Sequence, residues 1–315
     1  MRILVLALPF ALVATVLAVA RRHTVVLGIA EHAAVVDVAR RTRLSRVLGL
    51  LGGLLAAGLL AVAGGQVDAL GRVSALAPAV LGAGVLLGTV VGELTGHRAG
   101  GVRRSAPVET RRVRDVLPRG HAAVLGVGTA LLVGSLAAGT AWGAPDDLGR
   151  AGRYFQVACT TVVDGVATQY GSGRGPFPGS YYAVPLLAAF AVLGLLTLLA
   201  LRAVVRRPRP GVESLGLDTT LRRWSVAAVL EGATVAVLGT LAPVAAFLSS
   251  GLDGGLCGLS PLQAAVKAGA GVVAPLALVG ASAVLGVLVA APRLRVEDLP
   301  RPTPGDASSV GAPVR

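Results

Sequence analysis

Along the chain, long apolar runs alternate with short stretches that hold nearly all of its charge. Seven runs stand out, at 3–20, 47–64, 75–92, 122–143, 182–201, 225–248 and 262–291. Crossing a bilayer core of about 30 Å takes a helix of about 17–25 apolar residues, and every run reaches that range. The clearest unit is 219–293. A basic turn ending in Leu221-Arg222-Arg223-Trp224 precedes an apolar run broken only by Glu231. A turn without Lys or Arg follows, then a second run, with Arg293 and Arg295 closing the unit. This is the pattern of a membrane hairpin with both ends on the cytoplasmic side. The whole pattern predicts an all-α, polytopic membrane protein of seven transmembrane helices: one N-terminal helix and then three hairpins.

The first run, 3–20, has a competing reading as a signal peptide, because Ala18-Val19-Ala20 has the form of a cleavage site. Arg21 and Arg22 follow at once, and Arg40, Arg41, Arg43 and Arg46 complete a basic segment that resists export. A retained helix with its N-terminus outside is therefore expected. Val25–Val38, apolar but carrying Glu31, His32 and Asp37, is expected along the inner membrane surface. Residues 1–295 form the transmembrane domain, with an outer loop at 144–181 whose Gly171–Gly179 segment reads as loop by composition. The Pro-, Gly- and Ser-containing segment 296–315 reads as a disordered cytoplasmic tail.

Charge sets the orientation. The chain carries 29 Lys and Arg against 16 Asp and Glu. The three inner loops and the tail hold 6, 7, 6 and 4 Arg, whereas the outer side holds five and Lys267 sits inside the seventh run. That asymmetry predicts an N-out, C-in protein of the cell membrane. Because the basic residues punctuate apolar runs instead of lining one face, they do not describe a nucleic-acid surface. They suit contact with the bilayer and with anionic lipids at the inner loops, without specificity. The near-absence of Lys beside many Arg, with Ala, Val, Leu and Gly dominant, points to a GC-rich bacterial source.

Candidate chemistry is sparse. Glu231 lies about seven residues into its run, roughly 10 Å deep at 1.5 Å per residue. An ionisable group there is costly and is a functional candidate by default. Lys267, near the outer end of the last run, is a second candidate, although snorkelling to the interface accounts for it. A lone Lys in a seventh helix invites comparison with microbial rhodopsins. The third run lacks the acid such a pigment needs, and aromatic residues are only 3% of the chain. Glu93 and His97 stand four apart at an inner helix end, a weak pair with polar helix ends as the plain alternative. No metal motif is visible, no phosphate loop precedes the single Lys, and no cofactor is implied. Cys159 and Cys257 both fall in outer segments, where an oxidising space would allow a disulfide; two unrelated thiols is the alternative. Gly84, Gly88 and Gly92 repeat every four residues and would let another helix, such as that of a membrane-protein partner, approach closely; a Gly-rich helix with no particular partner is the alternative.

A basic turn precedes each hairpin: Arg40-Arg41-Thr42-Arg43, Arg111-Arg112-Val113-Arg114 and Leu221-Arg222-Arg223-Trp224. On these residues the chain resembles uncharacterised multi-pass membrane proteins of actinobacteria, a resemblance that implies no activity. The leading expectation is a non-enzymatic integral membrane protein, either a structural or partner subunit or a cell-surface sensor. A small-solute or proton-coupled transporter using Glu231 is the alternative, and an intramembrane enzyme ranks below both. An acid facing a cavity would favour the transporter; a bundle packed solid would favour the subunit.

Overall fold

The computed structural model describes residues 24–67, 70–95, 113, 116–163, 165–207, 215–289 and 293–297, with backbone alone for 24–39, 67, 161, 163, 215–218 and 293–297. In chain order the elements are β1 (Thr24–Gly28), α1 (Ile29–Val67), α2 (Ala77–Thr95), α3 (Arg119–Trp142), β2 (Gly143–Ala144), β3 (Tyr154–Val163), β4 (Val166–Arg174), α4 (Ser180–Arg206), α5 (Leu215–Gly251), α6 (Pro261–Val289) and β5 (Arg293–Glu297). All six helices are long and apolar enough to cross a membrane. The first predicted run, 3–20, lies outside the described residues.

Helix α5 is the hub. Of its most apolar 18 residues 72% are buried, against 17–39% in the other five helices. A helix apolar on every side is one that other helices surround, and α5 packs against α2, α3, α4 and α6. Helix α1 packs on α2 and barely touches α5. Its outer stripe of Leu44, Leu48, Leu51, Leu55, Leu59 and Val62 is exposed. In water such a stripe would be an anomaly; in a bilayer it faces lipid.

Three helices run further than their apolar runs. The expected surface segment 25–38 and the run 47–64 are not separate elements. After the strand β1, one helix continues unbroken from Ile29 to Val67. No Gly or Pro lies between Glu31 and Leu48, and Arg is a good helix former, so backbone bonding persists where hydropathy stops. Helices α4 and α5 likewise extend into their Arg-bearing inner ends.

The Gly84/Gly88/Gly92 stripe meets α1 of the same chain, which corrects the expectation of a membrane partner there. A Cβ on Gly88 would fall 2.5 Å from the Ser45 carbonyl oxygen and 2.9 Å from the Gly49 Cα. One on Gly84 would fall 2.6 Å from the Gly53 Cα. Only hydrogen side chains let the two backbones approach this closely.

The outer segment is more ordered than its composition suggests. Strands β2, β3 and β4 form an antiparallel sheet with Phe155 opposite Arg174 and Val163 opposite Val166. Gly171–Arg174, read as loop from composition, belongs to β4. The hairpin closes between Val163 and Val166, where the sequence carries an Asp-Gly pair of the kind suited to a two-residue turn, and Gly165 has φ +79°. Cys159 and Cys257 are bonded, with Cα atoms 5.5 Å apart, fastening the sheet to the α5–α6 turn. The buried rings of Phe155 and Phe177, with centroids 5.5 Å apart, close this end of the core. At the opposite end β1 and β5 pair in parallel, Thr24 with Arg293 and Gly28 with Glu297. The expected tail from 296 therefore begins inside a strand; residues 298–315 lie outside the described residues.

Candidate functional site

The inner half of the bundle holds a buried polar cluster built on α5. Its first member, Arg222, turns back onto the end of α4. Nη1 donates to the carbonyls of Val204 (3.1 Å) and Val205 (2.7 Å), and Nη2 to that of Arg207 (2.5 Å). A helix C-terminus has carbonyls without intrahelical donors and carries partial negative charge, and Arg222 meets both needs.

That contact helps to place Arg207, whose Nη1 donates to Glu93 Oε2 at 3.2 Å. The side chains are 4% and 0% exposed, so this is a buried ion pair. The other carboxylate oxygen, Oε1, accepts from Ser225 Oγ at 2.7 Å. The Ser225 oxygen in turn accepts from Arg46 Nη2 at 2.8 Å. Four elements thus meet around the Glu93–Ser225 pair: α1 through Arg46, α2 through Glu93, the end of α4 through Arg207, and α5 through Ser225. Arg46 Nε is buried and has no hydrogen-bond partner among the described residues.

Less than two turns further along α5, Glu231 Oε1 lies 3.2 Å from His121 Nε2, three residues into α3. The carboxylate is 9% exposed and the imidazole 43%, so the histidine reaches toward the inner surface while the acid stays inside. Arg46 is near enough for its charge to act on both Glu93 and Glu231.

These groups border a cavity of about 430 Å³ between α1 and α6, with α5 as its floor. Arg46, Arg207, Ser225 and Glu231 supply the polar part. Val47, Leu50, Leu51 and Leu54 of α1 and Val287–Val289 of α6 form apolar walls, with Trp224 and Arg43 also lining it. Toward the outer end the space is filled by Leu132, Leu136, Leu241 and Leu248, then by the Phe155/Phe177 plug.

The candidates read from sequence separate accordingly. Glu231 and Glu93 both join the inner cluster, where Glu93 is paired with Arg207; His97 lies outside the described residues. Lys267 stands on α6 in the outer half, half-exposed and without a partner among the described residues. No group of acidic, His and Cys side chains among the described residues is able to hold a metal. Arg46, Arg207, Ser225 and His121 were missed as members. The two arginines counted as topology signals, and no periodicity reveals a pairing across more than a hundred residues. No family model, characterised protein or solved structure matches this chain, so function has to come from the geometry of the inner cluster.

Proposed function

We propose that this is an integral protein of the cell membrane that binds a small solute in its inner cavity, a transporter-type protein with Glu231 as its proton-exchanging group. One observation carries the reading: the most costly acid in the apolar core lies on the wall of a cavity instead of in solid packing. His121, half-exposed beside it, gives protons a route from the inner surface to Glu231. The arginine asymmetry supports placing the clustered end in the cytoplasm. The disulfide supports an oxidising space at the sheet end. Run 3–20, by its length and hydropathy, would supply a seventh, N-out span.

The test uses a single reporter thiol. Both native cysteines are bonded, so Ala228→Cys on the cavity floor introduces the only free one. It is expected to react with a small thiosulfonate from the cytoplasmic face and not from the outer face. The reaction rate should depend on pH, and Glu231→Gln should remove that dependence. A thiol that reacts from neither side, at any pH, would return the protein to the packed-subunit reading.

A further inference from the structure

The shape of the cavity also bears on what enters it. It is not a closed chamber: α1 stands away from α5, so one side of the space lies between α1 and α6, where the bundle faces lipid. Its lining divides by chemistry along its length. Apolar side chains of α1 and α6 make a slot next to the bilayer, and the charged groups lie toward the inner end, with Trp224 among them. An acyl chain with a polar head has the same division.

The sign of the head follows from the charges present. Arg43, Arg46 and Arg207 line the cavity with Glu231, and Glu93 lies behind as the partner of Arg207. With Arg222 of the same cluster spent on the carbonyls at the end of α4, the other three positive groups against two negative ones leave one positive charge, His121 taken as neutral. Glu231 faces His121 and Arg207 faces Glu93, so the excess falls on Arg43, which is exposed, and on Arg46. Arg46 has spent Nη2 on a neutral serine and keeps a buried Nε–H with no partner. A buried donor on a cation left in that state is costly unless an acceptor arrives, and an anionic oxygen is the strongest acceptor available.

We infer that the cavity takes one acidic amphiphile, a singly charged phospholipid drawn sideways from the inner leaflet. Its phosphate sits against Arg46 and Arg43, and an acyl chain lies along Leu50, Leu51, Leu54 and Val287–Val289. This rests on the cavity being the binding site, as proposed above, and puts a membrane lipid in it in place of a free solute. It differs from the diffuse attraction of basic loops for an anionic surface, because one site with one apolar slot saturates.

The chain has two Trp, so Trp142→Phe leaves Trp224 as sole reporter. In phosphatidylcholine nanodiscs, phosphatidylglycerol brominated near its headgroup should quench Trp224 saturably. Brominated phosphatidylcholine should quench it only in proportion to its bulk fraction. Arg46→Gln should weaken the preference about tenfold, the size of one lost charge-assisted hydrogen bond. Because Arg46 also holds Ser225, Leu54→Phe provides a second arm: it narrows the slot without touching the charges and should weaken binding as well. Arg223→Gln, exposed and outside the cavity, should leave the preference intact. Equal quenching by both lipids, displacement by inorganic phosphate, or equal losses in the Arg223 and Arg46 variants would each overturn the inference. If Ala228→Cys still reacts from the cytoplasmic face in that case, the cavity reading stands and only its ligand class falls.

Discussion

The two ends of the bundle handle charge in opposite ways. At the sheet end the Asp146 carboxylate, 2% exposed, is held by the partly exposed Arg150 and Arg153, and Arg174 pairs with Asp253 in the open, 3.0 Å apart with side chains 61% and 38% exposed. Open pairs contribute about 0–1 kcal/mol, and what fastens this end is the Cys159–Cys257 bond and the Phe155/Phe177 plug. At the inner end no disulfide is present, and fully buried charged side chains join the helices. The sheet end is covalently fastened and filled, and so is built to stay shut. The inner end is held by polar contacts around empty space, which is where a protein that must admit something can rearrange.

The largest effect expected is at Glu93. Removing it leaves the Arg207 charge buried without its carboxylate, and a broken buried pair costs about 3–5 kcal/mol. Glu93→Ala should lower stability in detergent by that amount, measured by chemical denaturation. The pair Glu93→Gln with Arg207→Leu should lose less than the sum of the two single changes. Losses that simply add would mean the inner end is not held by this pair.

Next comes the disulfide, which closes a separation of 98 residues. Cys257→Ser should cost about 2–4 kcal/mol and speed amide exchange in 154–174. Exchange in α1 and α2, at their inner ends, should not change. If the inner ends loosen equally, the two regions are one cooperative unit and the contrast fails.

Helix contact comes third. Gly88→Val forces a side chain against α1 backbone and should cost about 1–3 kcal/mol, the usual range for overpacking. Gly52→Val, with nothing within 4 Å, should be silent.

The smallest effect is an acid response confined to the outer end. Burial by itself would raise the Asp146 carboxyl, but hydrogen bonds from Arg153, Arg150 and Leu148 outweigh it and hold the group well below the usual carboxylate range. A group so depressed adds stability above its unfolded value of about 3.9 and loses it only as pH falls toward the lower folded value. Protection of the 146–153 corner should therefore persist at pH 3 in wild type. Asp146→Asn should lose protection there at neutral pH.

Helix existence was legible from hydropathy because a bilayer imposes both length and composition. Ends at the sheet side fell within a few residues of the apolar boundaries. Inner ends overran because Arg40–Arg46 and Arg202–Arg206 suit a helix as well as they suit a cytoplasmic surface. The sheet was legible in principle: Asp164-Gly165 sits between strand-forming stretches, but a Gly- and Tyr-rich composition hid it. Glu231 was visible through its cost alone. Its surroundings were not, because Arg46, His121 and Ser225 reach the site from three different helices, and a one-dimensional pattern does not carry such convergence.

The ladder between β1 and β5 joins the strand entering α1 to the strand leaving α6, and those are the two helices that flank the cavity. The first and last described segments are thus tied to each other by backbone hydrogen bonds that any sequence at those positions would make, Pro excepted. Span there depends on a ladder five residues long, not on side-chain fit. The spacing of α1 from α6 at this end is therefore tolerant of surface drift in sequence and sensitive to anything that pulls the two strands apart.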